Sequence, residues 1–250
     1  MKKSKHIFIS AGESSGDQHA AKYIATHKSI NSNIKFTAIG QSEIKKTGAE
    51  LIFNSEEISV VGIIEVIAKY NKILKALKVA YKHIDANKPD LIILVDYVEF
   101  NLKIANYAKS KGIKVLFYIA PQVWAWREKR IEKIIKAVDH LAVVFPFEEK
   151  LFKKYTDNVT YVGHPLADNS NFKIKFNNYA DKKIDLGIFP GSRDSEIKNN
   201  LHVMLNCIKL SRNENIRDKN IKIFYSNDTA KRKILSLLPQ EWEDALADGR

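Results

Sequence analysis

The sequence predicts an α/β protein made of two Rossmann-like, doubly wound parallel-sheet domains, the second incomplete. Three features predict it. Short apolar runs are continuous rather than alternating, as in strands covered on both faces. Helix-length patterns separate them, as in βαβ units. A polar, asparagine-rich interval, "NSNFKIKFNNYADKK" at 169–183, interrupts the alternation, which then restarts. The expected organisation is an N-terminal domain over 1–168, a linker over 169–183 and the beginning of a second domain over 184–250.

The first strand is "HIFIS" (6–10), stopped by the small residues of "AGESSGD" (11–17), and a helix follows near 17–28. The second strand is "FTAI" (36–39). The pattern near 63–86 is helical, because Ile63, Val66, Ile67, Tyr70, Ile73, Leu74, Leu77, Tyr81 and Ile84 share one face. Lys69, Lys72, Lys75, Lys78 and Lys82 occupy the other face. Further strands are "LIILV" (91–95), "VLFY" (115–118), "HLAVV" (140–144) and "TYV" (160–162), with helices near 101–111, 127–137 and 147–154. Beyond the linker, 184–189 is a strand, a Pro-Gly-Ser loop leads into a helix from about Ser195, and 221–226 is the next strand.

The chain's 250 residues, 45% hydrophobic and 28% charged, fit a soluble globular protein large enough for two domains. A single cysteine, Cys207, excludes a disulfide framework and points to a reducing, cytoplasmic compartment. No apolar run approaches the roughly 18 residues of a membrane span. The net charge is +12, and only seven of the 41 basic residues are arginine. Lysine lacks arginine's bidentate fork and suits general attraction to anionic surfaces, whether nucleic acid, lipid or phosphorylated metabolite. No nucleic-acid recognition motif accompanies the lysines, so nucleic acid is not the expected partner. The histidines are scattered without metal-ligand spacing, and neither metal nor cofactor is expected.

Ligands of open α/β sheets bind where strands end, so the loops leaving the strands are the candidate sites. Gly12-Glu13-Ser14-Ser15-Gly16-Asp17 does not match a dinucleotide fingerprint. Ser15 or Asp17 suits a helix N-cap, and Glu13 stands where free backbone donors meet polar ligands. Asp96 ends the 91–95 strand, with Glu99 and Asn101 expected on the following loop. A carboxylate there serves as a general base or as a cap of the next helix. In "APQVWAWR" (120–127), Trp124 and Trp126 either stack on a sugar or nucleobase or wedge the loop into the core, with Arg127 beside them. His164, before Pro165, is a hinge residue facing the cleft or a structural histidine. Gly191, Ser192 and Arg193 form the best diphosphate candidate, with a plain turn as the alternative. The apolar segment 58–64 ahead of the lysine-rich helix gives that helix the character of an interfacial membrane element.

"AGESSGD" (11–17), "VVGIIEVI" (60–67), "PDLIILVDYVEFN" (89–101), "YIAPQVWAWR" (118–127), "FPFEEKLF" (145–152), "VGHPLAD" (162–168) and "FPGSR" (189–193) together resemble the lipid-A-disaccharide synthase family. The resemblance implies a GT-B-like glycosyltransferase that inverts the sugar carbon without metal or covalent intermediate. Its substrates would be UDP-2,3-diacylglucosamine and 2,3-diacylglucosamine 1-phosphate, and its products UDP and the lipid A disaccharide 1-phosphate. On that resemblance Asp96 is the general base on the acceptor 6-hydroxyl and Glu13 its catalytic neighbour. Ser15, Asn101, Trp124, Trp126, Arg127, His164, Gly191, Ser192 and Arg193 would bind substrate. Ile63, Ile64, Val66, Ile67, Lys69, Lys72 and Leu74 would meet the anionic inner face of the inner membrane, with a homodimer left open. Tyr97-Val98-Glu99 stands where the family has Ala-Pro-Asp, and Gln122 where it has serine. The family's further C-terminal residues, which hold the donor uridine, have no counterpart before Arg250, so weak UDP-sugar binding and little transfer are expected of these residues alone. The alternatives are a non-catalytic lipid-binding remnant and another GT-B enzyme of UDP-sugars.

Overall fold

The computed structural model describes residues 4–59, 69–121, 130–167, 184–192, 194–211, 220–225 and 228–248. The apolar runs become strands with both faces covered. In β1 (Lys5–Ala11), Phe8 packs into one core layer while Ile7 and Ile9 pack into the other. In β4 (Leu91–Val95), Ile92 and Leu94 join the first layer and Ile93 and Val95 the second. Side chains alternate across a strand, so a run apolar at every position requires cover on both sides.

The remaining strands of this sheet are β2 (Ile34–Gly40), β3 (Glu50–Asn54), β5 (Lys114–Tyr118), β6 (His140–Val143) and β7 (Val159–Tyr161). Their order is β3-β2-β1-β4-β5-β6-β7, parallel throughout. The chain winds outward from β1 in one direction and from β4 in the other. The crevice of a doubly wound sheet therefore opens above the β1 and β4 ends. Their register sets Ala11 beside Val95, so the two following loops leave the sheet side by side.

Six helices are described with this sheet: α1 (Ser14–Ile30), α2 (Ser42–Lys46), α3 (Tyr70–Asn87), α4 (Val98–Ser110), α5 (Ile131–Ala137) and α6 (Pro146–Phe152). Several expectations are corrected. The helix expected near 17–28 starts at Ser14, so Ser15 and Asp17 lie inside its first turn and Glu13 holds the N-cap position without a side-chain cap. The helix expected near 101–111 starts at Val98, which puts Glu99 and Asn101 on a helix rather than a loop. Strand β3 and helix α2 had no counterpart in the sequence reading. The helical pattern near 63–86 is described from Tyr70 onward. Of that near 127–137, residues 127–129 lie outside the described residues.

By internal contacts the chain divides into two units, Met1–Asp168 and Asn169–Arg250. The second has its own parallel sheet, β8 (Leu186–Ile188), β9 (Ile221–Tyr225) and β10 (Leu246–Asp248), in the order β10-β9-β8. Helices α7 (Asp194–Leu210) and α8 (Asp228–Leu235) supply Ile197, Leu201, Leu205 and Ile234 to a core shared with Ile188 and Ile223. The stretch 169–183 lies outside the described residues.

Candidate active site at the ends of β1 and β4

A cavity of about 600 Å³ opens where β1, β4 and β5 end. Glu13 and Ser15 line it from the start of α1, Asp96 through Phe100 and Lys103 from the β4–α4 junction, Ile119 to Pro121 after β5, and Tyr70 and Ile73 from α3. The backbone is unusual here. Asp96, Tyr97 and Ile119 hold φ of 51°, 43° and 62°, the left-handed region that L residues with side chains seldom adopt. Each such residue costs on the order of 1–3 kcal/mol, and such strain concentrates where function requires it. Three of them line one cavity.

Close packing explains the glycines opposite. A Cβ on Gly12 would stand 2.3 Å from Cδ1 of Tyr97, and one on Gly16 would stand 3.3 Å from Oδ2 of Asp96. The Tyr97 ring therefore lies on the β1–α1 loop, and its hydroxyl donates to the Ile58 carbonyl at 2.8 Å. Burial drives the Asp96 carboxyl up to about 6, with the Glu13 carboxylate adding to the rise. A carboxylate of that basicity is largely ionised at neutral pH yet accepts a proton far more readily than an ordinary aspartate.

Asp17 has a different task. Its carboxylate accepts from the backbone N–H of Gln41 at 2.6 Å and of Glu43 at 2.9 Å, capping α2 from a neighbouring helix. Asn101, expected as a substrate contact, is fully buried beneath the β4–α4 turn. Its amide N–H groups donate to the carbonyls of Asp96, Val95 and Ser10 and its oxygen accepts from the Ser10 hydroxyl, so its hydrogen-bonding groups are spent within the fold. Glu99 on the cavity wall pairs with Arg130 at 2.5 Å.

His164 is half-buried, its ring edge-on to His19 with centroids 6.3 Å apart, and its Nδ1 accepts from the Leu166 N–H. Position 191 calls for glycine on two grounds: its φ is 123°, and a Cβ there would meet Glu196 Cβ at 2.6 Å. The N–H of Ser192, expected to be open to a phosphate, donates instead to the Glu196 carboxylate at 3.1 Å. Lys69 donates to the Ser59 carbonyl at 2.7 Å, Lys72 is exposed, and Leu74 is half-buried. Trp124, Trp126, Arg127, Arg193, Ile63, Ile64, Val66 and Ile67 lie outside the described residues. Tyr97, Phe100 and Ile119 are cavity residues that the sequence does not single out. The one signal for Tyr97 and Ile119 is position, just past strands that flank the switch point, while Phe100 lies in the first turn of α4.

The lipid-A-disaccharide synthetase family model matches residues 7–246. The lipid-A-disaccharide synthase of Coxiella burnetii is 40% identical over 213 residues, which are 82% of this chain and 56% of that protein. That of Geobacter metallireducens is 41% identical over 215 residues, 83% of this chain and 56% of that protein. The chain thus spans a little over half the length of these relatives. Among solved structures, the UDP-N-acetylglucosamine 2-epimerase from Rickettsia bellii superposes with a TM-score of 0.60 at 14% identity, over 98% of this chain and 68% of that one. The UDP-GlcNAc 2-epimerase from Neisseria meningitidis gives 0.57 at 10% identity, over 98% and 71%. These likenesses show a GT-B-like α/β fold.

Proposed function

The chain belongs to the lipid-A-disaccharide synthetase family, and from that premise we propose that it carries the acceptor-activating part of an inverting glycosyltransferase. The acceptor is 2,3-diacylglucosamine 1-phosphate and the donor UDP-2,3-diacylglucosamine. The observation that carries the reading is Asp96, a half-buried carboxylate on a strained turn beside Glu13, its proton affinity raised to about 6. The acceptor's 6-hydroxyl gives its proton to Asp96 while its oxygen attacks C1 of the donor sugar. The bond from C1 to the UDP oxygen breaks with its electron pair, and UDP leaves as the anion. Attack opposite the leaving group inverts C1.

Glu13 supports the step by keeping negative charge near Asp96, which favours the protonated form it reaches in the transition state. Ser15 at the cavity rim offers a hydroxyl to the sugar. Gly191 to Arg193 would receive the diphosphate, with the Glu196 carboxylate giving up the Ser192 N–H as it arrives. Lys72 and the other lysines of α3, with the apolar residues at 63–74, would hold the protein peripherally on the anionic inner face of the membrane where both acylated substrates reside.

Transfer of labelled sugar from the donor to the acceptor, followed with the full-length protein and with its Asp96→Asn variant, tests the assignment. Removing a positioned base lowers kcat by about 10²–10⁴-fold. A variant that folds and turns over at the native rate would remove Asp96 from the mechanism.

A further inference from the structure

Asp96 and Tyr97 are consecutive non-glycine residues in the left-handed region, and something must hold them there. Beyond Val95 the carbonyls of this turn leave the sheet ladder and need donors from elsewhere. Asn101, at 0% exposure, supplies the missing donors. Its Nδ2 donates to the Asp96 carbonyl at 2.7 Å, to the Val95 carbonyl at 3.1 Å and to the Ser10 carbonyl at 3.3 Å. Its Oδ1 accepts from the Ser10 hydroxyl at 2.7 Å. A single side chain thus ties the end of β1, the end of β4 and the first turn of α4.

The chemistry demanded of that position is narrow. It takes two N–H protons on one side and an acceptor on the other. Aspartate would aim a carboxylate at three carbonyl oxygens, and leucine would take the Nδ2 donor away from all three. The Ser10 hydroxyl fixes which way round the amide sits, since the flipped amide would set its oxygen against those carbonyls. From the side, the Tyr97 ring packed on Gly12 clamps the same turn.

We propose that Asn101, oriented by Ser10, is a positioning residue that locks the left-handed Asp96-Tyr97 turn and so fixes where the Asp96 carboxylate stands in the cavity. The inference rests on the reading of Asp96 as the base. Asn101 touches neither substrate nor the reacting atoms, and it acts through the backbone it holds. The charged and titratable groups around the cavity with Asp96 are Glu13 from α1, Tyr70 from α3, and Tyr97, Glu99 and Lys103 from the β4–α4 segment.

Carbon-13 NMR of the 250-residue chain tests the lock without substrate. Asp96 and Tyr97 Cα and Cβ shifts report the left-handed backbone, and the Asp96 carboxyl titration reports its burial. In Asn101→Ala both residues should lose the left-handed shift pattern. The Asp96 midpoint should fall by about one pH unit from its native value near 6, as the loosened turn admits water. Ser10→Ala, which leaves the Nδ2 donors in place, should move both readings in the same direction by less, and it decides the matter if Asn101→Ala does not fold. Thr37→Val is the control for lost stability alone: it removes a buried hydroxyl from β2 and should move neither reading. Native-like shifts and midpoint in the folded Asn101 variant, or in Ser10→Ala where that one does not fold, would overturn the proposal, as would an equal movement in Thr37→Val. Because no turnover is measured, a failure of the base assignment shows separately, as retained transfer in Asp96→Asn alongside a turn that still depends on Asn101.

Discussion

A carboxyl whose proton affinity is raised by folding destabilises the protein at neutral pH. Asp96 moves from an ordinary 3.8 to about 6, so the folded chain binds more protons than the unfolded one between those values. Stability therefore falls as pH rises from about 4 to about 6, and above that the full cost is present. At about 1.4 kcal/mol per pH unit the cost is of order 3 kcal/mol, set against an ordinary domain stability of about 5–15 kcal/mol. Asparagine has the same shape and no charge to desolvate. Asp96→Asn should thus stabilise the chain by about 1–3 kcal/mol at pH 7.5 and by little at pH 4, measured by urea unfolding at both. A variant equally stable or weaker at pH 7.5 would mean that the carboxylate is better solvated than its burial indicates. The expected gain opposes the expected loss of transfer, the usual conflict between a stable site and a working one.

At the scale of elements, β1, β2 and α3 are stitched by a ring of hydrogen bonds on the part of the sheet remote from the cavity. The Asn87 side-chain amide donates to His83 Nδ1, which leaves His83 Nε2–H to donate to the Thr37 hydroxyl at 2.9 Å. The Thr37 hydroxyl then donates to His6 Nε2 at 2.9 Å, and the His6 ring is hydrogen-bonded to the Asn87 backbone. The ring closes only with both imidazoles neutral. Burial lowers both histidines, aided by Lys35 at His6 and by His6 at His83. Their contribution is complete above the unfolded value of about 6.5 and is lost as pH falls below it. Thr37→Val should therefore cost about 1–3 kcal/mol at pH 7.5, where the ring is intact, and less once the pH is taken below the lowered midpoints of the two histidines, where protonation opens it. A pH-independent loss in calorimetry would identify a packing defect instead.

The same scale shows what the sequence reveals and what it hides. β1 and β4 are legible because cover on both faces leaves unbroken apolar runs, at 7–9 and 91–95. β3 is five residues long, lies at the sheet edge and buries only Phe53 fully, so it leaves no comparable trace. Asp96 and Glu13 are legible as carboxylates at strand ends. Tyr97 and Ile119 are not, because a left-handed backbone has no side-chain signature unless the residue is glycine. Asn101 looks like a loop residue because α4 begins at Val98 behind a tyrosine rather than a capping residue, and the bond that would announce its role spans 91 positions to Ser10.

For the whole molecule the main unassigned quantity is charge. A net +12 attracts any anionic surface, so binding to anionic vesicles would not by itself identify a docking face. No described helix is long and apolar enough to cross a membrane. Among the residues of α3, Lys72, Lys75 and Lys78 are exposed, on the helix that also lines the cavity through Tyr70 and Ile73. Lys133, Lys154 and Lys198 are equally exposed on other elements. Reversing either set to glutamate changes the net charge by the same amount, so a difference between them reads location alone. Near an anionic surface each lysine contributes about 1 kcal/mol, so losing three corresponds to roughly 10²-fold weaker binding and reversing them to at least as much. Co-sedimentation with vesicles of mixed anionic and neutral lipid should show that loss for Lys72/Lys75/Lys78→Glu and less than about a third of it, in free energy, for the second set. Equal losses would assign binding to the total charge, and the cavity would then have no reason to face the bilayer.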